Sequence, residues 1–259
     1  MSKTGSARSP LVAYQGVARD FSAVTVNMAK LLTMKRHPDS QVRHAILIHS
    51  MFRAARTCGA QLRLSEELYS EEMHCVNRAL AEISINAAYL QIATEPEVDS
   101  YLRYDAIATA RVVQKMSTSM PKDHRLNKAD ELHIRQLISQ PRGERGAIPS
   151  WSLKSITLRA RELDKSCGID LMSTTALMVY ETAHPYVHGT ASSVEPVGDW
   201  IMSGANSNDP TRLEGTIVAL HLTCVCLLAL TVFTGQRYQL GLDSEVERLQ
   251  ETLNILGLG

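Results

Sequence analysis

Apolar residues recur along most of the chain at spacings of three and four, which is the period of an α-helix. The alternation of apolar and polar residues that marks a β-strand is scarce. In the first predicted helix the apolar face consists of Leu11, Tyr14, Val17, Phe21, Val24, Met28, Leu31 and Leu32. The pattern predicts an all-α protein, a bundle of about eight or nine helices.

Proline, glycine and helix-capping residues divide this pattern into separate helices. The predicted helices cover 10 to about 36, 39 toward 59, 65 to about 93, 96 to 119, part of 122–140, about 150 to 167, 170–188 and 209 to at least 233, and a last one carries Val246, Leu249, Leu253 and Leu256. Asp39 and Asp170 each supply a side-chain oxygen for the free amides of a first turn. Pro96 and Pro210 suit the start of a helix, and Gly168 suits an end.

Two polar segments interrupt the helices. Residues 140–150, QPRGERGAIPS, form the clearest linker, and residues 190–209 form a loop rich in Gly, Ser and Asn. Loops as long as the second are commonly lids, binding loops or disordered segments. We predict a single helical domain over residues 1–259, with the 140–150 linker as the point where it would subdivide.

Composition narrows the class of protein. A chain of 259 residues with 44% hydrophobic residues can form a full core. Five irregularly spaced cysteines fit a reducing compartment, and the opening MSKTGSARSP lacks the apolar stretch of a signal peptide. The most apolar run, 217–233, has 17 residues, whereas a membrane span needs about 20. We therefore expect a cytoplasmic protein, a central core helix at 217–233 and no membrane partner.

Charge is balanced overall but not locally. The chain has 27 Lys and Arg and 27 Asp and Glu, so any nucleic acid must be bound by a local patch. Residues 1–63 hold ten Lys and Arg against two acids, and residues 64–110 hold nine acids against two Arg, balances of plus eight and minus seven. One interpretation is that the adjacent helices attract one another. The other is a phosphate-binding surface on the first two helices, although interleaved aromatic residues are not evident there.

The most informative segment is residues 71–91, EEMHCVNRALAEISINAAYLQ. Arg78, Glu82, Asn86 and Tyr89 lie on one narrow stripe of a helix whose other faces are mostly apolar. The stripe is therefore predicted to be buried or to line a cleft. Two interpretations follow: a structural ion pair that fixes the packing of the helix, or an arginine held ready for an anionic group.

A second group of residues lies in YETAHPYVHG, residues 180–189. Tyr180, His184 and His188 are four residues apart and share a helix face, unless Pro185 disturbs the second half. Two histidines one turn apart can bind a metal, but no third ligand follows at a diagnostic spacing. A histidine can instead act as a general acid or base, bind phosphate or cap a helix end. We therefore predict no metal and no cofactor.

The motifs support a resemblance. It rests on Arg78-x3-Glu82-x3-Asn86-x2-Tyr89-Leu90, on Tyr101-x-Arg103-Tyr104 and on Tyr180-x7-His188-Gly189, within about residues 40–190. These motifs resemble an uncharacterised bacterial all-helical family, which is distantly similar to the HEPN proteins, many of them ribonucleases of toxin or phage-defence systems. The resemblance implies a HEPN-like helical core. His184 stands where the family commonly has serine.

The resemblance also implies roles for particular residues. HEPN nucleases pair an arginine with a histidine four to six residues away near the end of the bundle, whereas here Arg43 and His49 form such a pair in an early helix. The polar stripe and the resemblance together assign the catalytic roles to Arg78, Glu82 and His188. The binding roles go to Asn86, Tyr89, Arg103, Tyr104, Tyr180 and His184.

Two hypotheses follow from these residues. In the first, Arg78 binds a phosphate, Glu82 orients Arg78, and His188 is the general acid or base of a metal-independent ribonuclease acting on RNA or a nucleotide. In the second, the protein is a non-enzymatic binding or assembly module, a sensor or partner subunit, in which the stripe is structural. Either form can be a homo-oligomer or bind a protein partner.

Overall fold

The computed structural model describes residues 4–35, 41–119, 127–138, 152, 154–188 and 210–257. Within these residues the chain forms nine helices and no strand, which confirms the predicted all-α bundle. The helices are α1 (Thr4–Met34), α2 (Gln41–Glu66), α3 (Ser70–Tyr89), α4 (Glu95–Ser119), α5 (Lys128–Ile138), α6 (Ile156–Cys167), α7 (Leu171–His188), α8 (Pro210–Tyr238) and α9 (Asp243–Gly257). The predicted linker at 140–150 and the predicted loop at 190–209 lie outside the described residues.

The helices divide into two compact units. The larger unit combines residues 1–92 with 156–259, and the smaller unit is 93–155. In the smaller unit α4 packs against α5. Both of these helices have side-chain caps: Glu97 Oε2 accepts hydrogen bonds from the Thr94 amide and hydroxyl, and Asn127 Oδ1 accepts one from the Asp130 amide. Capping by local side chains explains why these two helices begin where they do.

The apolar helix α8 lies in the core of the larger unit. Every residue from Leu222 to Thr231 is buried, because α8 packs against α1, α3, α2, α7 and α9. By length and composition this helix could also cross a membrane, and 78% of its most apolar 18-residue stretch is buried within the protein. Burial on nearly all sides explains why its sequence shows no polar face.

The helix α3 carries the candidate residues and has neighbours on several sides. It packs against α2, α6, α7 and α8. Glu71 and Glu72 lie in its first turn, where carboxylates favour the positive end of the helix dipole. The side toward α8 contains small and polar residues such as Asn77, and the side toward α7 contains Arg78 and Glu82.

Three predicted boundaries are wrong. α1 begins at Thr4, and Pro10 lies inside it, because a proline beyond the first turn removes a backbone hydrogen bond without necessarily ending a helix. α2 does not stop at Gly59, since an internal glycine costs only about 1 kcal/mol relative to alanine. The third helix begins at Ser70 rather than at 65: Ser65 is a buried residue of α2, and the chain turns at Leu68, whose φ is 57°.

Two further ends differ from expectation, because α3 ends at Tyr89 rather than near 93 and α6 starts at Ile156 rather than near 150, whereas the remaining helix ends agree. α4 begins beside Pro96 and ends at Ser119, and α8 begins at Pro210. α6 starts at Ile156, six residues later than the predicted 150, and ends at Cys167, where Gly168 has a φ of 71°. A left-handed residue after the last turn is inexpensive only for glycine, so the position of Gly168 fixes this end.

Candidate functional site between α3 and α7

A polar stripe runs along the side of α3 that faces α7 and α6. It consists of His74, Arg78, Glu82 and Asn86, each four residues after the last, so that successive side chains lie one turn apart. The partners of the stripe are Tyr186 and Tyr180 on α7 and Arg159 on α6. As the contacts progress along α3 from His74 to Glu82, they move backwards along α7 from Tyr186 to Tyr180. The two helices are therefore antiparallel.

Arg78, Glu82 and Tyr180 form one cluster. The Arg78 Nε lies 3.7 Å from Glu82 Oε1, and the Tyr180 hydroxyl donates a hydrogen bond of 2.5 Å to the same oxygen. The Arg78 guanidinium carbon lies 4.7 Å from the centre of the Tyr180 ring, which is a cation–π contact. The side chain of Arg78 is 29% exposed and that of Glu82 is 45% exposed. The cluster is thus ordered by its own contacts and still open to solvent.

The electrostatics of the cluster keep Tyr180 protonated. Burial raises the pKa of the Tyr180 hydroxyl, and its hydrogen bond to the Glu82 carboxylate raises that pKa further, while Arg78 opposes the change. A tyrosine with a raised pKa is a hydrogen-bond donor at neutral pH and is not a base. Tyr180 therefore holds Glu82 in place, and Glu82 holds the Nε edge of Arg78.

One turn before Arg78 lies a buried histidine. The His74 ring stacks on the Tyr186 ring with 5.1 Å between centroids and an interplanar angle of 5°. Burial lowers the pKa of His74, and the nearby Glu71 carboxylate opposes that effect. Glu71 in turn lies 3.9 Å from Arg212 on α8 and accepts a hydrogen bond from Ser70. His74 is therefore neutral at pH 7 and packs as an aromatic ring.

This environment predicts that acid weakens the fold. His74 has a lower pKa when folded than the roughly 6.5 expected in the unfolded chain. Between those two values the unfolded state binds more protons, so the free energy of unfolding decreases as the pH falls below about 6.5. We expect urea titrations at pH 7.0 and 5.5 to show a larger loss of stability for the wild-type protein than for His74→Gln. Equal losses in the two proteins would contradict this assignment.

The predicted residues Asn86 and Tyr89 lie away from the cluster. Asn86 Oδ1 accepts a hydrogen bond from Arg159 Nη1, and the Arg159 side chain is itself buried. Tyr89 is almost completely buried at the end of α3. The structure thus brings Arg78, Glu82 and Tyr180 together, whereas Asn86 pairs with Arg159 and Tyr89 is buried at the end of α3.

The remaining predicted residues occupy separate places. Arg103 and Tyr104 belong to α4 in the smaller unit. The Arg103 Nη2 lies 3.9 Å from Asp99 Oδ2, and the side chains of Arg103 and Asp99 are both exposed. His184 is exposed on α7, one turn after Tyr180. His188 is the last residue of α7, and its side chain lies outside the described part of the structure. Among the described residues, no group of three or more His, Cys, Asp or Glu side chains could hold a metal ion.

On the α8-facing side of α3, Asn77 connects three helices. Its Oδ1 accepts hydrogen bonds from Gln61 Nε2 on α2, at 2.7 Å, and from the Thr223 hydroxyl on α8, at 2.8 Å. Its Nδ2 donates to the Ala219 carbonyl at 2.7 Å. Sequence reasoning missed this group. The available signal was the seven-residue spacing of Ser70, Asn77 and Ser84, which is typical of one buried stripe.

A second cluster lies at the carboxyl end of α3, and the sequence did not predict it. Arg43 Nη1 donates to the Leu90 carbonyl at 2.9 Å, and Arg237 Nη2 donates to the Gln91 carbonyl at 3.1 Å. Cations at this end of a helix satisfy free carbonyls and favour the helix dipole. Arg43 therefore has a structural contact, and His49, its partner in the predicted spacing, is exposed.

The fold and this site define an all-α protein with a partly exposed Arg/Glu/Tyr cluster between two antiparallel helices. A family model described as "Family of unknown function (DUF5677)" matches residues 44–199, which is more than half of the chain. The chain therefore belongs to this family, and the match confirms the predicted membership of an uncharacterised family. The matched segment contains α3, α6 and α7, and so includes the whole polar stripe. No curated protein and no solved structure matches the chain.

Proposed function

We propose that the protein binds a phosphate group of RNA or a nucleotide at Arg78 and cleaves the phosphodiester without a metal, as a HEPN-like ribonuclease. The observation that supports this proposal is the state of Arg78. Its guanidinium is fixed by Glu82 and by the Tyr180 ring, yet 29% of the side chain is exposed. An arginine that is both fixed and accessible is suited to bind an anion, because little conformational entropy remains to be lost.

The geometry of Arg78 favours a phosphate. Glu82 lies against its Nε, and within the described residues Glu82 is the one carboxylate in ion-pair distance of this guanidinium. The terminal Nη groups can then form paired hydrogen bonds to two phosphate oxygens. In a reaction the same groups stabilise the charge that develops on the phosphorus oxygens. Glu82 acts as the positioning residue for Arg78.

The acid–base chemistry falls to the histidines of α7. Tyr180, His184 and His188 recur every fourth residue of this helix, and imidazole titrates near neutral pH. In the step we propose, the ribose 2′-oxygen attacks the adjacent phosphorus, and the bond to the 5′-oxygen breaks. A base accepts the 2′-hydroxyl proton, and an acid gives a proton to the departing 5′-oxygen. His188 is our candidate for one of these two roles.

The cellular setting rests on the resemblance of the motifs. An effector of toxin or phage-defence type in a bacterial cytoplasm is the setting that fits a HEPN-like ribonuclease. A homo-oligomer or a complex with a protein partner is compatible with the same chemistry.

The arrangement of the cluster also favours a second candidate, a non-enzymatic sensor or partner subunit. Arg78, Glu82 and Tyr180 already satisfy one another, as in networks that fix how two helices pack. In that case the cluster is structural or binds a ligand without turnover. The two candidates differ in whether product forms.

The deciding experiment incubates purified protein with mixed RNA in excess EDTA and measures cleavage. We expect Arg78→Ala to lower the cleavage rate by about 100-fold or more, as for loss of a transition-state donor, and His188→Ala to lower it similarly. Arg161→Ala, which removes an exposed arginine of α6, is the matched control and should cleave like the wild type. Because Arg78 and Glu82 are partly exposed, their pairing contributes at most about 1 kcal/mol, so Arg78→Ala should remain folded.

Equal and negligible cleavage in all four proteins would exclude the ribonuclease. A rise in melting temperature with added nucleotide would then support the binding module, provided that Arg78→Ala removes it. Cleavage that persists in Arg78→Ala at the wild-type rate would show that the activity does not arise from this site.

A further inference from the structure

The second helix has one buried side and one exposed side with very different chemistry. Its buried side includes Leu47, Met51, Ala54, Cys58 and Gln61, which pack toward the core. The opposite side is exposed and carries His49, Phe52, Arg53, Arg56 and Arg63, which we call the α2 basic stripe. At 100° per residue these five positions fall within about a quarter to a third of the helix circumference.

Within the described residues, the arginines of the α2 basic stripe have no acidic partner. Residues 41–65 contain no Asp or Glu, and Glu66 at the end is the first acid of α2. Arg53, Arg56 and Arg63 form no ion pair within the described parts of the chain. The predicted attraction between this basic region and the acidic region at 64–110 is therefore not made by these three arginines.

Acidic residues are also scarce on α1, the helix that packs beside α2. Cys58 Sγ on α2 donates to the Ala18 carbonyl on α1 at 3.4 Å, and Arg19 follows Ala18 and is exposed. Asp20, the next residue, is the single acid of α1. Although the whole chain carries a net charge of zero, this local excess of arginine concentrates positive charge on the exposed side of α2.

The residue types on the stripe indicate what it binds. Arg53 and Arg63 are ten residues apart, about 15 Å along the helix, so the arginines can contact successive phosphates of one strand. Arginine binds phosphate oxygens in pairs, better than lysine does. Contrary to the expectation that no aromatic residue accompanies these basic residues, Phe52 is 41% exposed among the arginines, and a ring in that position can stack on an unpaired base. A ring exposed among arginines favours an unpaired base over a partner that offers acidic groups alone.

We propose that the α2 basic stripe binds single-stranded nucleic acid, with Arg53, Arg56 and Arg63 on the phosphates and Phe52 against a base. This proposal goes beyond the function assigned to Arg78. The stripe lies on the side of α2 opposite Gln61, which contacts α3. Binding at the stripe requires neither Arg78 nor cleavage.

The test measures fluorescence anisotropy of a labelled 16-nucleotide single-stranded RNA with the full-length protein at several salt concentrations. We expect the triple variant Arg53→Gln, Arg56→Gln, Arg63→Gln to bind about 10- to 100-fold more weakly at low salt. The slope of log affinity against log salt should fall by about 2, as expected for three lost phosphate contacts. Phe52→Leu should weaken binding by roughly fivefold or more through lost stacking.

A charge-matched control separates the stripe from the net charge. The variant Arg135→Gln, Arg161→Gln, Arg248→Gln removes three exposed arginines from other helices and should bind like the wild type. Equal weakening by both triple variants would overturn the proposal, as would the absence of salt-dependent binding. Competition by polyglutamate as effective as competition by unlabelled RNA would also overturn it, in favour of an acidic protein partner. The weakening caused by the Arg53, Arg56 and Arg63 triple variant should be the same in the Arg78→Ala background as in the wild-type background, so failure of the ribonuclease proposal can be recognised separately.

Discussion

Replacing Asn77 with alanine should lower the free energy of unfolding by about 2–4 kcal/mol. The side chain is fully buried, and its three hydrogen bonds join α3 to Gln61 on α2 and to Ala219 and Thr223 on α8. Alanine would leave the donors of Gln61 and Thr223 without this acceptor and would open a small cavity. Each of these effects costs free energy in a water-free interior.

Thermal unfolding monitored by circular dichroism measures this effect. For a chain of this size, a loss of about 3 kcal/mol corresponds to a fall in melting temperature of about 6–12 °C. The matched control is Asn254→Ala, which removes an exposed asparagine of α9 and should change stability by no more than about 0.5 kcal/mol. Equal melting temperatures for the two variants would show that Asn77 does not hold the three helices together.

Thr223→Val tests the same group from the other side. The valine keeps the volume but removes the hydroxyl that donates to Asn77 Oδ1. If the two residues act as one group, the double variant should lose less stability than the sum of the two single losses. Strict additivity would indicate that Asn77 and Thr223 stabilise the fold independently.

That these segments form helices was predictable, because burial on one side of a helix sets the spacing of its apolar residues. The boundary between α2 and α3 was not, because two local signals conflicted with tertiary packing. Gly59 and Ser65 read as a stop and a start, yet the helix continues through both, and Ser65 is buried where it accepts a hydrogen bond from Gln15. The burial of the segment after Gly59 outweighs the modest cost of an internal glycine.

Part of the candidate site was also predictable from the sequence. The spacing of Arg78 and Glu82 indicates a pair within one helix, and Tyr180 was among the residues expected to meet it. The predicted stripe ran from Arg78 to Tyr89, whereas in the structure the polar stripe runs from His74 to Asn86. A histidine amid apolar residues gives no sign of the ring on which it will stack.

Arg159 shows the limit of this kind of prediction. It is buried and donates to Asn86, but α6 is a polar helix in which another arginine, Arg161, is exposed. Nothing in the local sequence separates the two, because which one points inward depends on how α6 docks against α3. Contacts between residues that are distant in sequence are fixed by tertiary packing, and a single sequence records them only through unusual residue choices.

Replacing Asp164 with alanine should lower the free energy of unfolding by about 1–3 kcal/mol. The Asp164 carboxylate is buried and accepts hydrogen bonds from the backbone amides of Met172, at 2.9 Å, and Ser173, at 2.8 Å. These amides belong to the first turn of α7, and the backbone amides of a first turn have no hydrogen-bond acceptor within their own helix. Asp164, from α6, therefore caps the helix that presents Tyr180 to the candidate site.

The effect should be largest at the start of α7, where hydrogen exchange by mass spectrometry ought to show faster exchange over the first turn. Asp170→Ala is the informative comparison, because Asp170 directly precedes the helix and is the cap that the sequence predicts. Asp170 is exposed, and its side chain makes no hydrogen bond within the described residues, so its loss should cost less than about 1 kcal/mol through the helix dipole alone. If Asp170→Ala proves as damaging as Asp164→Ala, the helix is capped locally, and the coupling between α6 and the candidate site does not exist.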